Sequence, residues 1–249
     1  MSLPAPFRHE GEHLAIDLPG ARALFTTRRG GVSRDPYATL NLGTFTGDDP
    51  AHVEVNRERV AKLVGIPTER FAHGRQVHEA RVLRHTEPPD PAERRRANAD
   101  GQATDQTGVA PLVLVADCVP VAVAGAEGVA MLHCGWRGLA AGIVAEGVAA
   151  LQELGAGANV TAAIGPGVGR CCYEVGEEVH AAFEDLGPEA RDGRRLDLKL
   201  VARRRLEAAG VLEIHDVDLC TMCSDPSLFF SHRRDGEVTG RQAGVVWRT

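Results

Sequence analysis

Gly128-Val129-Ala130-Met131-Leu132-His133-Cys134-Gly135-Trp136-Arg137-Gly138 decides how this chain reads. Gly128 to Leu132 is an apolar strand with a metal-competent imidazole at its end. Gly135 is the hinge before a stretch from Leu139 to Leu154 that reads as a helix. A reactive group at a strand end, facing a helix N-terminus, is a common way to build a site for an anionic substrate. Leu139, Ile143, Leu151 and Leu154 fall near one face of that helix, and Gly155 ends it. Just upstream lies the most apolar region, Val109 to Ala124, in which Val113-Leu114-Val115 and Val119 through Val123 suit buried strands. Asp117-Cys118 interrupts it, and a polar pair in such a run has to be satisfied by hydrogen bonds or by a metal.

Working outward, Leu24 to Arg28 reads as a short strand and Arg29-Gly30-Gly31-Val32-Ser33 as a turn. Asp49-Pro50 suits a helix entry, with Asp49 as N-cap, and the helix runs to about Val64 before Gly65. Phe71 to Val82 is mixed and carries His78. Glu87 to Ala99, with Pro88, Pro89, Pro91 and the run Glu93-Arg94-Arg95-Arg96, reads as a solvated, mobile loop. Val160 to Ile164 is a strand, and helices follow at about Glu177 to Leu186 and Asp197 to Ala209. Val211 to Val217, Leu228 to His232 and Ala243 to Trp247 are late strands, with Asp235-Gly236 turning between the last two. Strands and helices alternate irregularly, which predicts an α/β (α+β) fold rather than a regular doubly wound sheet. We expect a single domain over 1–249, with residues 1–20 a candidate for a loose N-terminal segment.

Composition narrows the function classes. Apolar content of 43% and charged content of 25% fit neither a disordered nor a membrane protein, and no apolar run is long enough for a spanning helix. A net charge of −6 argues against a nucleic-acid-coating role, so no nucleic-acid or membrane partner is expected. The first ten residues have no apolar h-region, from which we expect no signal peptide, a cytoplasmic location and reduced cysteines.

Three islands carry candidate chemistry: Gln76-Val77-His78, Ala116-Asp117-Cys118 and His133. Imidazole and thiolate are preferred zinc ligands, and three of them leave a fourth position for water or a substrate oxygen. The spacing is unlike a local zinc-finger pattern. It fits equally two core histidines and a buried thiol. Cys220-Thr221-Met222-Cys223 is a single CxxC that could join Cys171 and Cys172 in a structural zinc site. Adjacent cysteines seldom point to one metal, so buried or redox-prone thiols are the favoured reading there.

Taken together the islands resemble the laccase-domain or polyphenol-oxidase family, whose members look like zinc-dependent purine nucleoside phosphorylases. The resemblance runs through Thr26-Thr27-Arg28-Arg29-Gly30-Gly31-Val32-Ser33, Leu40-Asn41-Leu42-Gly43, Gly47-Asp48-Asp49-Pro50, Val55-Asn56-Arg57 and the three islands. It continues in Ile164-Gly165-Pro166, Cys172-Tyr173-Glu174-Val175-Gly176, Phe229-Phe230-Ser231-His232-Arg233-Arg234-Asp235-Gly236 and Thr239-Gly240-Arg241. Two positions depart from the usual pattern: Glu79 follows the first histidine and Cys134 follows the third ligand.

The resemblance implies that His78, Cys118 and His133 ligate zinc and serve catalysis, in a layered α/β/β/α sandwich with mixed sheets. It implies purine nucleosides and phosphate as substrates: adenosine, inosine or methylthioadenosine is cleaved to free base and a ribose 1-phosphate, with adenosine deamination as a further activity. Arginine suits phosphate because its fork is bidentate and always charged. Of Arg28, Arg57, Arg137 and Arg233, Arg57 and Arg137 rank first, though ion pairs with carboxylates fit each singly. Asn41 is a candidate contact to ribose or base, or a cap of its own turn. One alternative is a copper-dependent, laccase-like polyphenol oxidase. Another is a non-catalytic metal-binding protein of cell division or envelope biogenesis. The oligomeric state stays open.

Overall fold

The computed structural model describes residues 2–90, 96–157 and 159–249. The charge run at 93–96 lies outside the described residues except for Arg96. In chain order the strands are β1 (Arg8–Glu10), β2 (His13–Leu18), β3 (Ala21–Phe25), β4 (Phe71–Ala72), β5 (Val82–His85), β6 (Gly101–Thr104) and β7 (Ala110–Val115). They continue as β8 (Val119–Ala124), β9 (Val129–Cys134), β10 (Thr161–Ile164), β11 (Arg191–Asp192), β12 (Arg195–Leu196), β13 (Glu213–Asp216) and β14 (Gln242–Arg248). The helices are α1 (Pro50–Val64), α2 (Trp136–Ala141), α3 (Ile143–Glu153), α4 (Glu177–Ala181), α5 (Leu198–Ala208) and α6 (His232–Asp235).

Among the described residues two six-stranded mixed sheets form, in the orders β1-β2-β3-β14-β7-β4 and β13-β10-β8-β9-β6-β5. Side chains alternate across a strand, so each central strand feeds two cores. From β8 and β9, Val121, Val123, Ala130 and Leu132 pack with Ile143, Val148, Leu151, Val201 and Leu206 of α3 and α5. Ala122, Ala124, Val129 and Met131 face the other way, against Ile16, Phe25, Val113 and Val246 of the first sheet. The outer face of that sheet buries Leu24, Leu112 and Val245 against Val60, Ala61 and Val64 of α1. The layers are therefore α/β/β/α, and one domain holds them.

Local signals explain most of the elements. Asp49 caps α1, accepting from the Ala51 N–H, Pro50 opens the helix, and Gly65 closes it in the left-handed region. Three expectations are corrected. The helix expected from Leu139 to Leu154 is two helices, because Gly142 adopts φ 92° and breaks the register between α2 and α3. Leu228 to His232 is not a strand: Gln242 takes the place of a strand partner, its amide bonding both the N–H and the C=O of Phe230. Ser231 then caps α6, and Gly236 ends that helix instead of turning a hairpin. Residues 8–18, inside the segment expected to be loose, form β1 and β2, because Leu14 and Ile16 are fully buried in the inter-sheet core.

Candidate metal centre

His133 stands near the end of β9, on the face it shares with Met131, and so points toward the space between the sheets. Cys134 points the opposite way into the helix-side core, and burial pushes its thiol well above the usual range. Cys118 immediately precedes β8, at the rim of the inter-sheet core. His78 comes from the loop after β4. This loop is tied down by Gln76, whose amide donates to the Leu114 carbonyl at 2.7 Å and accepts from the Leu114 N–H at 2.8 Å. These elements bring the ligand atoms of His78, Cys118 and His133 within 4.8 Å of one another. The Cys118 sulfur lies 3.9 Å from His78 Nε2.

Buried Asp100 holds the arrangement. One of its oxygens lies 2.7 Å from His133 Nδ1, and the two oxygens together accept from the N–H groups of Val77, His78 and Glu79. A carboxylate on Nδ1 fixes the proton there and leaves Nε2 as the ligand atom, the usual support of a metal-bound histidine. Burial alone would raise the Asp100 carboxyl, but His133 and these N–H groups hold it below its ordinary value. Burial likewise works against a charged Cys118, yet His133 and His78 outweigh it and bring the thiol down to about 6. His133 is opposed by burial too, and Cys118 and Asp100 raise it to about 9.

Backbone strain sits at the same place. His78 has φ 63° and Asp117 has φ 86°, both in the left-handed region that side-chain-bearing residues avoid. Asp117 is held there by the Thr221 hydroxyl at 2.6 Å and the Arg233 N–H at 2.7 Å. Gly135 leaves room for two of these side chains: a Cβ there would crowd them, lying 3.0 Å from the Cys118 sulfur and 3.1 Å from His78 Cδ2. The donor set of two imidazoles and a depressed thiol, with the Asp100 carboxylate behind one of the imidazoles, fits a zinc-type ion.

The other sequence candidates scatter. Asn41 is fully buried, and its amide holds Thr46, Asp48, the Gly43 N–H and the Arg241 N–H. Arg57 donates twice to the Leu42 carbonyl. Arg28 stacks 4.4 Å over Phe230 and donates to two carbonyls. Arg137 is exposed on α2 and stacks 4.5 Å over Trp136. Glu79 is exposed as well.

Sequence reasoning passed over three site residues. Asp100 is one. Arg241 is another: burial depresses its guanidinium, and the Cys118 and Asp117 charges act on it in the opposite direction. The third is Tyr173, whose hydroxyl burial and Cys118 raise to about 12, with Arg233 lying 4.8 Å over its ring. Arg241 and Tyr173 both lie in segments that carried the resemblance, which was the available signal. For Asp100 there was none beyond a lone carboxylate before a glycine.

Comparison with known proteins adds a context. A family model described as multi-copper polyphenol oxidoreductase laccase matches residues 22–249. The chain is 38% identical over 237 residues to the purine nucleoside phosphorylase YfiH of Escherichia coli, covering 92% of this chain and 94% of that protein. It is 42% identical over 237 residues to a purine nucleoside phosphorylase of Streptomyces coelicolor, covering 92% and 96%. The crystal structure of the hypothetical protein YfiH of Bacillus licheniformis superposes with a TM-score of 0.91 at 33% identity, over 99% of this chain and all of that one.

Proposed function

This chain belongs to the family described as multi-copper polyphenol oxidoreductase laccase, and from that membership we propose that it is a zinc-dependent purine nucleoside phosphorylase. The observation that carries the proposal is the Asp100-supported set of His78, Cys118 and His133, in a chain whose relatives bear that name. These three side chains would hold zinc, which would supply Lewis-acid polarisation there.

The chain's own residues do the rest. In phosphorolysis a phosphate oxygen bonds to ribose C1′ while the bond from C1′ to the base nitrogen breaks. The electron pair leaves with the base, which takes up a proton. The reaction therefore needs an anion clamp and a hydrogen-bond donor near the base. We assign the clamp first to Arg241 and Arg233, whose surroundings include Cys118, Asp117 and Tyr173. Arg137 is a second anion contact at the exposed end of α2. Asn41 and Arg57 act as positioning residues, because Asn41 fixes the Arg241 N–H and Arg57 fixes the carbonyl of neighbouring Leu42. Tyr173 keeps its proton at neutral pH and is the donor we assign. The same pocket serves methylthioadenosine, and it deaminates adenosine when water instead forms a bond to purine C6 and the C6 amino group leaves as ammonia. The six thiols suit a cytoplasmic enzyme.

The test is to incubate the purified protein with inosine or adenosine, with and without phosphate, and to follow free base by chromatography and ammonia separately. Phosphate-dependent base release is expected. Its absence at every zinc loading rejects the proposal. Arg241→Ala is expected to raise the KM for phosphate about 10–100-fold with zinc content unchanged, the size of a lost charged hydrogen bond.

The family description favours a second reading, a copper oxidase. A multi-copper site needs several histidine-rich sets, and among the described residues only His78, Cys118 and His133 form a histidine-containing one. Phenol oxidation that tracks added copper, without nucleoside turnover, would support that reading instead.

A further inference from the structure

A second group of ligand-type side chains lies outside the centre described above. Cys171, Cys172, Cys220 and Cys223 bring their four sulfurs within 4.8 Å of one another. We propose that these four cysteines form a tetrathiolate site for a single zinc-class ion, which staples two loops together beside the catalytic pocket.

The sheet explains the convergence. β10 and β13 are parallel neighbours, with Ile164 opposite Asp216, so the loops that follow them leave the same end of the sheet side by side. The loops then pair through Gly167 and Cys220. One loop delivers Cys171 and Cys172, the other the CxxC of Cys220 and Cys223. Adjacent cysteines on extended backbone would point apart. Here the N–H groups of Cys172 and Tyr173 both fold back onto the Gly169 carbonyl, and the resulting turn presents both sulfurs to one point.

The geometry suits an ion better than other uses of four thiols. Zinc–sulfur bonds of about 2.3 Å set the edge of a tetrahedral site at about 3.8 Å. The Cys171 and Cys223 sulfurs are 3.3 Å apart, well outside bonding distance, and all four cysteines are thiols. The Cys220 sulfur accepts the Gly169 N–H at 3.2 Å, a hydrogen bond that favours the thiolate form a metal ligand needs. Gly169 packs closely against the cluster: a Cβ there would lie 3.2 Å from the Cys171 sulfur and 3.1 Å from Cys220 Cβ. A cleft of about 520 Å³ adjoins the cysteines; Arg170, Lys199 and Arg203 line it together with Asp197, Asp216 and Asp218, so it is mixed in charge and opens the cluster to an entering ion.

The staple has a purpose. Thr221, inside the CxxC, donates to Asp117 beside the ligand Cys118, and Tyr173 follows Cys172 directly. Clamping the two loops holds both residues against the first centre.

Zinc counted by mass spectrometry in the full chain, purified without oxygen, tests this. Two zinc per chain are expected in the wild type, one in Cys118→Ala, one in Cys223→Ser and none in the double variant. Cobalt-loaded Cys118→Ala should show intense thiolate-to-cobalt absorption. Cys223→Ser with the wild-type zinc count overturns the proposal. If serine at 223 prevents folding, Cys118→Ala decides alone: one retained zinc with the cobalt signature supports the site, and a folded, metal-free chain overturns it. Four cysteines of Cys118→Ala that alkylate without delay in the zinc-loaded protein also overturn it.

Discussion

Asp100 accepts from three consecutive backbone N–H groups and from His133 Nδ1, so its carboxylate orders both the His78 loop and the His133 ring. Asp100→Asn keeps the volume but turns an amide donor toward those N–H groups. It is expected to weaken zinc binding about 10–100-fold and to cost about 1–3 kcal/mol of stability, measured by competition with a chelator and by urea unfolding. A variant with wild-type affinity would show that His133 needs no such support. The pH dependence follows from the ligands themselves. The Cys118 thiol, ordinarily near 9.0, falls to about 6, and its contribution to stability is complete above 9.0 and lost as pH falls through about 6. The His133 imidazole, ordinarily near 6.5, rises to about 9, and its contribution is complete below 6.5 and lost as pH rises through about 9. Both charges coexist between those limits, so the metal-free chain is expected to be most stable there. Zinc entry at neutral pH then displaces one proton from this pair, the one on His133, and two below about pH 6. Calorimetry in buffers of different ionisation enthalpy, differenced against Cys118→Ala, reads that count, and a count that does not change with pH contradicts the assignment. The three ligands were legible because several short islands stood in the right order. Asp100 was not, because a carboxylate before a glycine reads as a turn until the fold closes around it.

The elements that carry the ligands are fixed by side chains acting as strand partners. β4 pairs with β7 only through Phe71 and Ala72. Gln76 then bonds both polar groups of Leu114 and continues the edge of β7. Gln76→Leu removes both bonds and is expected to cost about 1–3 kcal/mol, with zinc content falling because the His78 loop loosens. Unchanged melting and metal content would mean that the loop is held by Asp100 alone. This device also marks the limit of pattern reading. β7, β8 and β9 were readable as continuous apolar runs because both of their faces are buried. Leu228 to His232 carried the same apolar pattern and is not a strand, because Gln242 satisfies Phe230 from a side chain. The break at Gly142 was hidden for another reason: the apolar spacing continues across it while the backbone does not.

At the scale of the molecule, the candidate metal centre lies at the rim of the core between the two sheets, with Cys118 immediately before β8, His133 on β9 and His78 on a loop anchored to β7 of the other sheet. Zinc binding should therefore couple to the stability of the whole fold. Zinc at about a hundredfold over its dissociation constant is expected to add about 2.7 kcal/mol, read as a shift of the unfolding midpoint. A chain whose midpoint ignores zinc would place the ligands on a region that opens independently. The layer order was legible only through the family resemblance, which implied the α/β/β/α sandwich, while the pattern of apolar residues predicted no more than a mixed α/β (α+β) fold. The strand order within the two sheets was not legible, since nothing local says which strands pair across roughly two hundred residues. That last fact bears on how the protein is made. β14 lies between β3 and β7 yet follows both in sequence. While the ribosome works, β3 therefore presents an unpaired apolar edge to its surroundings until roughly two hundred further residues have been made. A cell producing this protein has to shield a nascent half-sheet until its central strand emerges.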